Sequence, residues 1–183
     1  MKVLFTERLL LEPLVVAHAA AMFPVLAELE LYRHLDYGPP PSLDHLRNVY
    51  EKLEARRSPD GSQQWLNWIL RQPGGPPIGC VQATILSNRS AYVAYMLARE
   101  HWGRGYALEG TRAMVEHLTS EYRVATFMAV VEVDNARSIA LLQRLSFDPA
   151  SAGTSRSEDL SATERLYVRS LEHAGLTAAA TYS

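Results

Sequence analysis

Chemistry is most readable in one run: Leu97-Ala98-Arg99-Glu100-His101-Trp102-Gly103-Arg104-Gly105-Tyr106-Ala107. It joins a span that reads as a strand (91–97) to one that reads as a helix (108–118). Glycines at 103 and 105 and the small Ala107 let the backbone approach a ligand closely. The helix that follows turns its unpaired N–H groups and positive dipole end toward the junction. Together they form a seat for a phosphate or pyrophosphate. In isolation, the same glycines equally describe an ordinary strand-to-helix turn. A second polar group, Asn135, precedes the helical span 136–145 and reads as an N-cap or as a ligand contact, two roles that are compatible.

Other chemistries lack their residues. Histidines at 18, 34, 45, 101, 117 and 173 are scattered without metal-ligand spacing, and His101, although nearest the junction, reads as a surface residue. Walker-type loop, nucleophile elbow and His-Glu-x-x-His patterns are missing. Trp65, Trp68, Tyr92 and Tyr95 read first as core or sheet-face residues, with a groove-lining role as the alternative.

The elements that must position these groups follow from periodicity and breakers. Residues 6–13 read as a first strand stopped by Pro13, and 16–31 as a helix kinked or begun late at Pro24. Gly38-Pro39-Pro40-Pro41 breaks the chain, after which Ser42 caps a helix with Leu43, Leu46, Val49, Tyr50 and Leu53 at helical spacing. Strands are expected at 65–71, 78–86 and 91–97, and the β-branched run 124–133 reads as a doubly covered central strand. A Ser/Gly/Ala-rich loop at 150–161 and a last strand at 164–171 complete one domain over 1–171, with a tail at 172–183.

Composition narrows the class. With 48% hydrophobic and 21% charged residues and a formal net charge of −2, the chain has no electrostatic case for binding nucleic acid or a membrane surface. The lone Cys80 cannot form an internal disulfide, which agrees with a reducing, cytoplasmic setting. Near the N-terminus, Glu7, Arg8, Glu12 and Pro13 interrupt the apolar run too often for a secretion signal.

Taken in this order, the elements resemble the GNAT family of N-acetyltransferases, in the branch that includes the RimJ and RimL enzymes. Two blocks carry the resemblance: Ala94-Tyr95-Met96-Leu97 running into Trp102-Gly103-Arg104-Gly105-Tyr106-Ala107-Leu108-Glu109, and Asn135-Ala136-Arg137-Ser138 leading to Leu145-Ser146-Phe147. Trp102 stands where the family signature usually has Gln or Arg, and Ser146 where a glycine is usual. The resemblance implies an α+β fold: a central mixed, mostly antiparallel twisted sheet of about six to seven strands with helices on both faces.

It also implies acetyl-CoA as co-substrate and no metal. Amides from Gly103 to Ala107, with Trp102 and Tyr106 beside them, would hold the pyrophosphate, and Arg104 would add a charged contact. Leu97 and Arg99 would meet the pantetheine arm through their backbone, and Asn135 through its side chain. The tyrosine that many members place seven residues after the asparagine is Leu142 here. This branch often carries a serine three residues after it, and Ser138 matches; the branch's usual glutamate is replaced by Tyr92, leaving Glu132 as candidate base. An irregular segment at 27–44, with Tyr32 and Asp36, would flank the acceptor groove opposite the loop 150–161, and Tyr92 and Tyr95 would line it.

Acetyl transfer needs a neutral amine, a polarised thioester carbonyl and a proton for the departing thiolate. An α-amine, with a pKa of about 7.7–8.0, reaches neutrality far more readily than a lysine at about 10.4. Direct attack in a ternary complex on a protein N-terminus or a small primary amine is therefore expected, by a monomer or homodimer. The competing reading is a module with this fold that binds CoA without turnover.

Overall fold

The computed structural model describes residues 1–151 and 160–171. Its strands are β1 (Leu4–Phe5), β2 (Leu10–Pro13), β3 (Gln64–Arg71), β4 (Pro77–Ile85), β5 (Ser90–Leu97), β6 (Thr126–Glu132), β7 (Asp148–Pro149) and β8 (Glu164–Ser170). Helices are α1 (Ala19–Leu26), α2 (Leu43–Glu54), α3 (Tyr106–Tyr122) and α4 (Ala136–Arg144). The strands form one sheet in the order β1-β2-β3-β4-β5-β6-β8-β7. Every adjacent pair is antiparallel except β5–β6. The expected architecture is thus observed, with eight strands because β1 and β7 are two-residue pairings too short to read from periodicity.

Alternation along the strands gives the sheet two buried faces. On β3, Leu66, Trp68 and Leu70 join the core beneath α3 and α4, while Ile69 faces the opposite cluster with Met22, Leu26, Leu46 and Tyr50 of α1 and α2. The α3 face includes Met114 and Leu118, both inaccessible to solvent. Gly110 lets α3 press onto β3, since a Cβ there would lie 2.9 Å from Leu70 Cδ2.

Several spans differ from their sequence reading. The first strand divides into β1 and β2 because Thr6 and Leu9 close a turn, the Thr6 N–H donating to Leu9 O at 2.9 Å. The span 16–31 is not one helix: 3₁₀ turns at Val16–His18 and Leu29–Tyr32 flank α1. Pro24 sits inside α1, lacks the N–H that would continue the ladder, and the helix ends two residues later. The expected tail at 172–183 and most of the expected loop at 150–161 lie outside the described residues. No helix among the described residues is long and apolar enough to cross a membrane.

The least regular part of the sheet is the β5–β6 seam. These parallel strands pair only through Ser90–Thr126, Ala91–Phe127 and Tyr92–Met128, and then separate. Bonds from Ala98 N–H to Ile78 O and from Leu86 N–H to Ser90 O, both 2.9 Å, show that even-numbered β5 residues bond toward β4. Strand alternation then turns the backbone groups of Tyr95 and the N–H of Leu97 toward the opening. The result is a wedge with hydrogen-bonding groups on its β5 side.

Candidate active site

The glycine turn lies directly at the mouth of this wedge. Gly103 and Gly105 both take left-handed conformations, with φ of 73° and 81°. Gly105 is the N-cap residue of α3 and has no side chain to cover the first N–H groups of that helix. Space beside Gly103 is open, for a Cβ placed there would meet nothing within 4 Å. Backbone access, unpaired amides and the positive end of a 17-residue helix therefore coincide.

The turn is braced from behind by the N-terminal strand pair. Arg8 Nη1 donates to Arg104 O at 3.0 Å, and Arg8 Nε donates to Glu109 Oε2 at 2.7 Å. The guanidinium also covers the Tyr106 ring at 4.7 Å. Glu109 accepts in addition from the Thr6 hydroxyl (2.6 Å) and the Arg8 N–H (2.9 Å). Burial alone would raise the Glu109 pKa, but bonds from Thr6 and Arg8 outweigh it and hold the carboxyl below its usual value.

On the β5 side, Leu97 O accepts the Trp102 indole N–H at 2.7 Å, which folds Trp102 back against the strand end. The Arg99 N–H is held by Glu28 Oε2 at 3.1 Å, and Arg99 O accepts the Trp102 N–H at 3.0 Å. Arg99 thus anchors the loop, while the wedge-facing groups belong to Tyr95 and Leu97.

Across the wedge, Asn135 caps α4: its side-chain oxygen accepts the Ser138 N–H at 3.2 Å. The Tyr95 hydroxyl reaches over from β5 and donates to Ser138 O at 3.3 Å. Burial pushes the Tyr95 phenol up to about 12, with Ser138 opposing the shift, so it stays protonated throughout the neutral range. Tyr95 and Ser138, placed in different roles by sequence, are thereby brought together.

Nearby, a hollow of about 200 Å³ is lined by Arg33, His34, Leu35, Asp36, Glu132 and Asp134. It brings the candidates Asp36 and Glu132 into one concavity. His34 Nδ1 lies 3.0 Å from Asp134 Oδ1 on its wall. Tyr32 does not join them: its hydroxyl turns inward to Leu26 O at 2.8 Å, and burial raises its pKa to about 12. Tyr37, stacked edge-on against Tyr32 at 5.7 Å, is the exposed aromatic of this segment. Tyr92 stays half-buried on β5, and His101 is half-buried rather than on the surface, its ring 6.1 Å from Tyr106. No cluster of metal-ligating side chains occurs among the described residues.

Three participants escaped the sequence reading: Arg8, Glu28 and Arg137, whose guanidinium lies 4.5 Å over the Trp102 ring. Each acts on a residue far away in sequence, and although Arg137 lies in the Asn135–Ser138 block, nothing in that block points to Trp102.

A sheet split beside a left-handed glycine turn and a helix N-terminus forms a cleft with free backbone hydrogen-bonding groups and an anion-favouring end. Residues 8–148 match the acetyltransferase (GNAT) domain model, and the chain belongs to that family of N-acetyltransferases. It is 26% identical to the uncharacterized N-acetyltransferase p20 of Bacillus licheniformis over 149 residues, spanning 80% of this chain and 83% of the relative. Its fold is similar to RimL, the ribosomal L7/L12 α-N-protein acetyltransferase, in complex with coenzyme A (TM-score 0.78, 19% identity, 93% and 99% of the two chains). It is also similar to the microcin C7 self-immunity acetyltransferase MccE in complex with acetyl-CoA and AMP (TM-score 0.75, 14% identity, 90% and 93%).

Proposed function

We propose that this chain transfers the acetyl group of acetyl-CoA to a primary amine by direct attack in a ternary complex, the acceptor being a protein N-terminus or a small-molecule amine. The observation that carries the reading is the wedge between β5 and β6 opening beneath the left-handed turn at Gly103 and Gly105. Acetyl-CoA supplies an activated thioester. Amides from Gly103 to Ala107 hold its diphosphate with Arg104 beside them, backbone groups of Tyr95 and Leu97 take the pantetheine arm, and Asn135 adds its side-chain amide.

A wedge-facing N–H polarises the reacting carbonyl. The Ser138 hydroxyl, in the first turn of α4, relays a proton to the departing thiolate and takes one back from water. Glu132 receives the amine proton through water, and Asp36 attracts the acceptor while it is still an ammonium, both from the hollow they share. RimL and MccE, similar in fold, bear names for a protein N-terminus and a microcin immunity function, so the acceptor is kept as an amine class.

A thiol-release assay over N-terminal peptides and small amines tests this reading. It predicts release that depends on the amine and yields the acetylated product. Coenzyme A binding without such release across the panel would instead favour the binding-module reading.

A further inference from the structure

Arg137 breaks a local rule. It occupies the first turn of α4, where the helix dipole disfavours a cation and where the chain places no acidic residue. Its side chain is exposed and makes no ion pair among the described residues. It is nonetheless held in one place, stacked 4.5 Å over the Trp102 ring. Trp102 is in turn pinned by its indole N–H to Leu97 O at 2.7 Å and immediately precedes Gly103.

This contact joins the loop after β5 to the helix after β6, so it spans the mouth of the wedge. Trp102 occupies the position where the signature usually offers a polar or cationic side chain, and the guanidinium over its ring returns a cation to that place from another element. A flat guanidinium can keep its face on an indole while its N–H fork bonds a phosphate oxygen. Of the other basic side chains at this loop, Arg8 is already committed to Glu109 and Arg104 O, and Arg104 is the cation assigned to the diphosphate above.

We infer that Arg137 is a cofactor-binding residue that clasps the diphosphate of the acyl-CoA, with Trp102 as the positioning platform that delivers it. The inference rests on the proposed acetyl-CoA site and adds a cation contributed by α4. Direct contact to a phosphate makes Arg137 a ligand residue, whereas Trp102 acts only through it.

Binding of acetyl-CoA, 3′-dephospho-acetyl-CoA and S-acetyl-pantetheine to the wild-type chain and to Arg137→Ala and Arg137→Lys separates the possibilities. One charge-assisted bond corresponds to about ten- to a hundredfold in affinity. Arg137→Ala is expected to weaken both diphosphate-bearing thioesters by that factor, to leave S-acetyl-pantetheine unchanged, and to reduce the salt dependence of binding. Arg137→Lys, which keeps the charge but loses the flat fork, should recover part of the loss, and Trp102→Leu should mimic Arg137→Ala. Equal weakening of all three ligands would overturn the assignment, reducing the pair to a brace between loop and helix. A loss confined to acetyl-CoA would move the contact to the 3′-phosphate and overturn it as well. Failure of the wild-type chain to bind acetyl-CoA is a separate result, and it would overturn the acetyl-CoA site itself.

Discussion

Glu109 accepts the Arg8 guanidinium at two nitrogens, Nε at 2.7 Å and Nη2 at 2.6 Å, tying the first turn of α3 to the chain's N-terminal hairpin. Arg8 is 43% exposed at its side chain and Glu109 only 17%, so solvent screens the charge and the acceptor role of Glu109 matters more. Glu109→Ala leaves the Thr6 hydroxyl its longer bond to Leu9 O (3.2 Å) and the exposed Arg8 N–H to water, and is expected to lower stability by about 0.5–1.5 kcal/mol, read by urea unfolding. It should also weaken acetyl-CoA binding, because Arg8 would no longer be held against Arg104 O. Unchanged unfolding and binding together would show that the network is incidental to the turn.

Gly103 allows backbone strain and ligand access to be separated. Asparagine tolerates the left-handed conformation better than other residues, and the space there is empty, so Gly103→Asn should fold with little loss of stability. Its side chain would nevertheless fill the approach to the amides. The stabilisation by acetyl-CoA seen in thermal melts should therefore shrink sharply or vanish. A wild-type shift in this variant would place the diphosphate elsewhere. Gly105→Val is a blunter tool, since its φ of 81° strains any branched residue and its Cβ would meet Arg8 Nη2 at 3.3 Å.

Asn135 carries two roles that substitutions can divide. Asn135→Asp keeps the cap on the Ser138 N–H, whereas Asn135→Ala removes it at a cost of about 0.5–2 kcal/mol. If its side-chain amide also donates to the pantetheine arm, both variants should bind acetyl-CoA less well while only the alanine variant melts earlier. Ser138→Ala should instead lower kcat by about 10²–10⁴-fold at nearly constant acetyl-CoA affinity. An unchanged kcat would assign Ser138 to helix capping geometry alone.

His117 gives the fold an acid sensitivity unrelated to catalysis. Its ring is clamped edge-on between Trp68 (5.7 Å) and Tyr122 (5.6 Å), and its buried Nε2 has no hydrogen-bond partner among the described residues. Burial lowers its pKa, with the positive charges of Lys2 and the N-terminus adding to the effect and Glu121 opposing it. Below about pH 6.5 the unfolded chain takes up this proton more readily than the folded one, so stability falls as pH drops through that range. Glu109, also depressed, adds a second loss at lower pH, below about 4.3. Urea unfolding from pH 8 to 5 should show the first decline in the wild-type chain and a flatter profile in His117→Phe.

Much of this architecture is legible in the sequence because it is local. The β5-to-α3 junction, the capping geometry of Asn135 and the helical spacing of Leu43 to Leu53 each lie within a few neighbouring residues. Long-range polar pairings left no such trace. Arg8 meets Glu109 across 101 positions and Arg99 meets Glu28 across 71, and a single sequence does not encode which charges will face each other. Tyr32 shows the converse. Beside Asp36 and Tyr37 it reads as a recognition aromatic, yet its hydroxyl satisfies the carbonyl at the end of α1, a need visible only once α1 stops at Leu26. The wedge itself leaves no local trace, since nothing in the composition of β5 or β6 announces that their pairing ends after Tyr92.

The central claim is that the opening between β5 and β6 receives an acyl-CoA, and a crystal structure of the chain with coenzyme A tests it most directly. The account predicts the diphosphate on the amides of Gly103 to Ala107 and the pantetheine arm between Tyr95–Leu97 and Asn135. Coenzyme A bound outside that opening, with the Gly103–Ala107 amides uncovered, would contradict it.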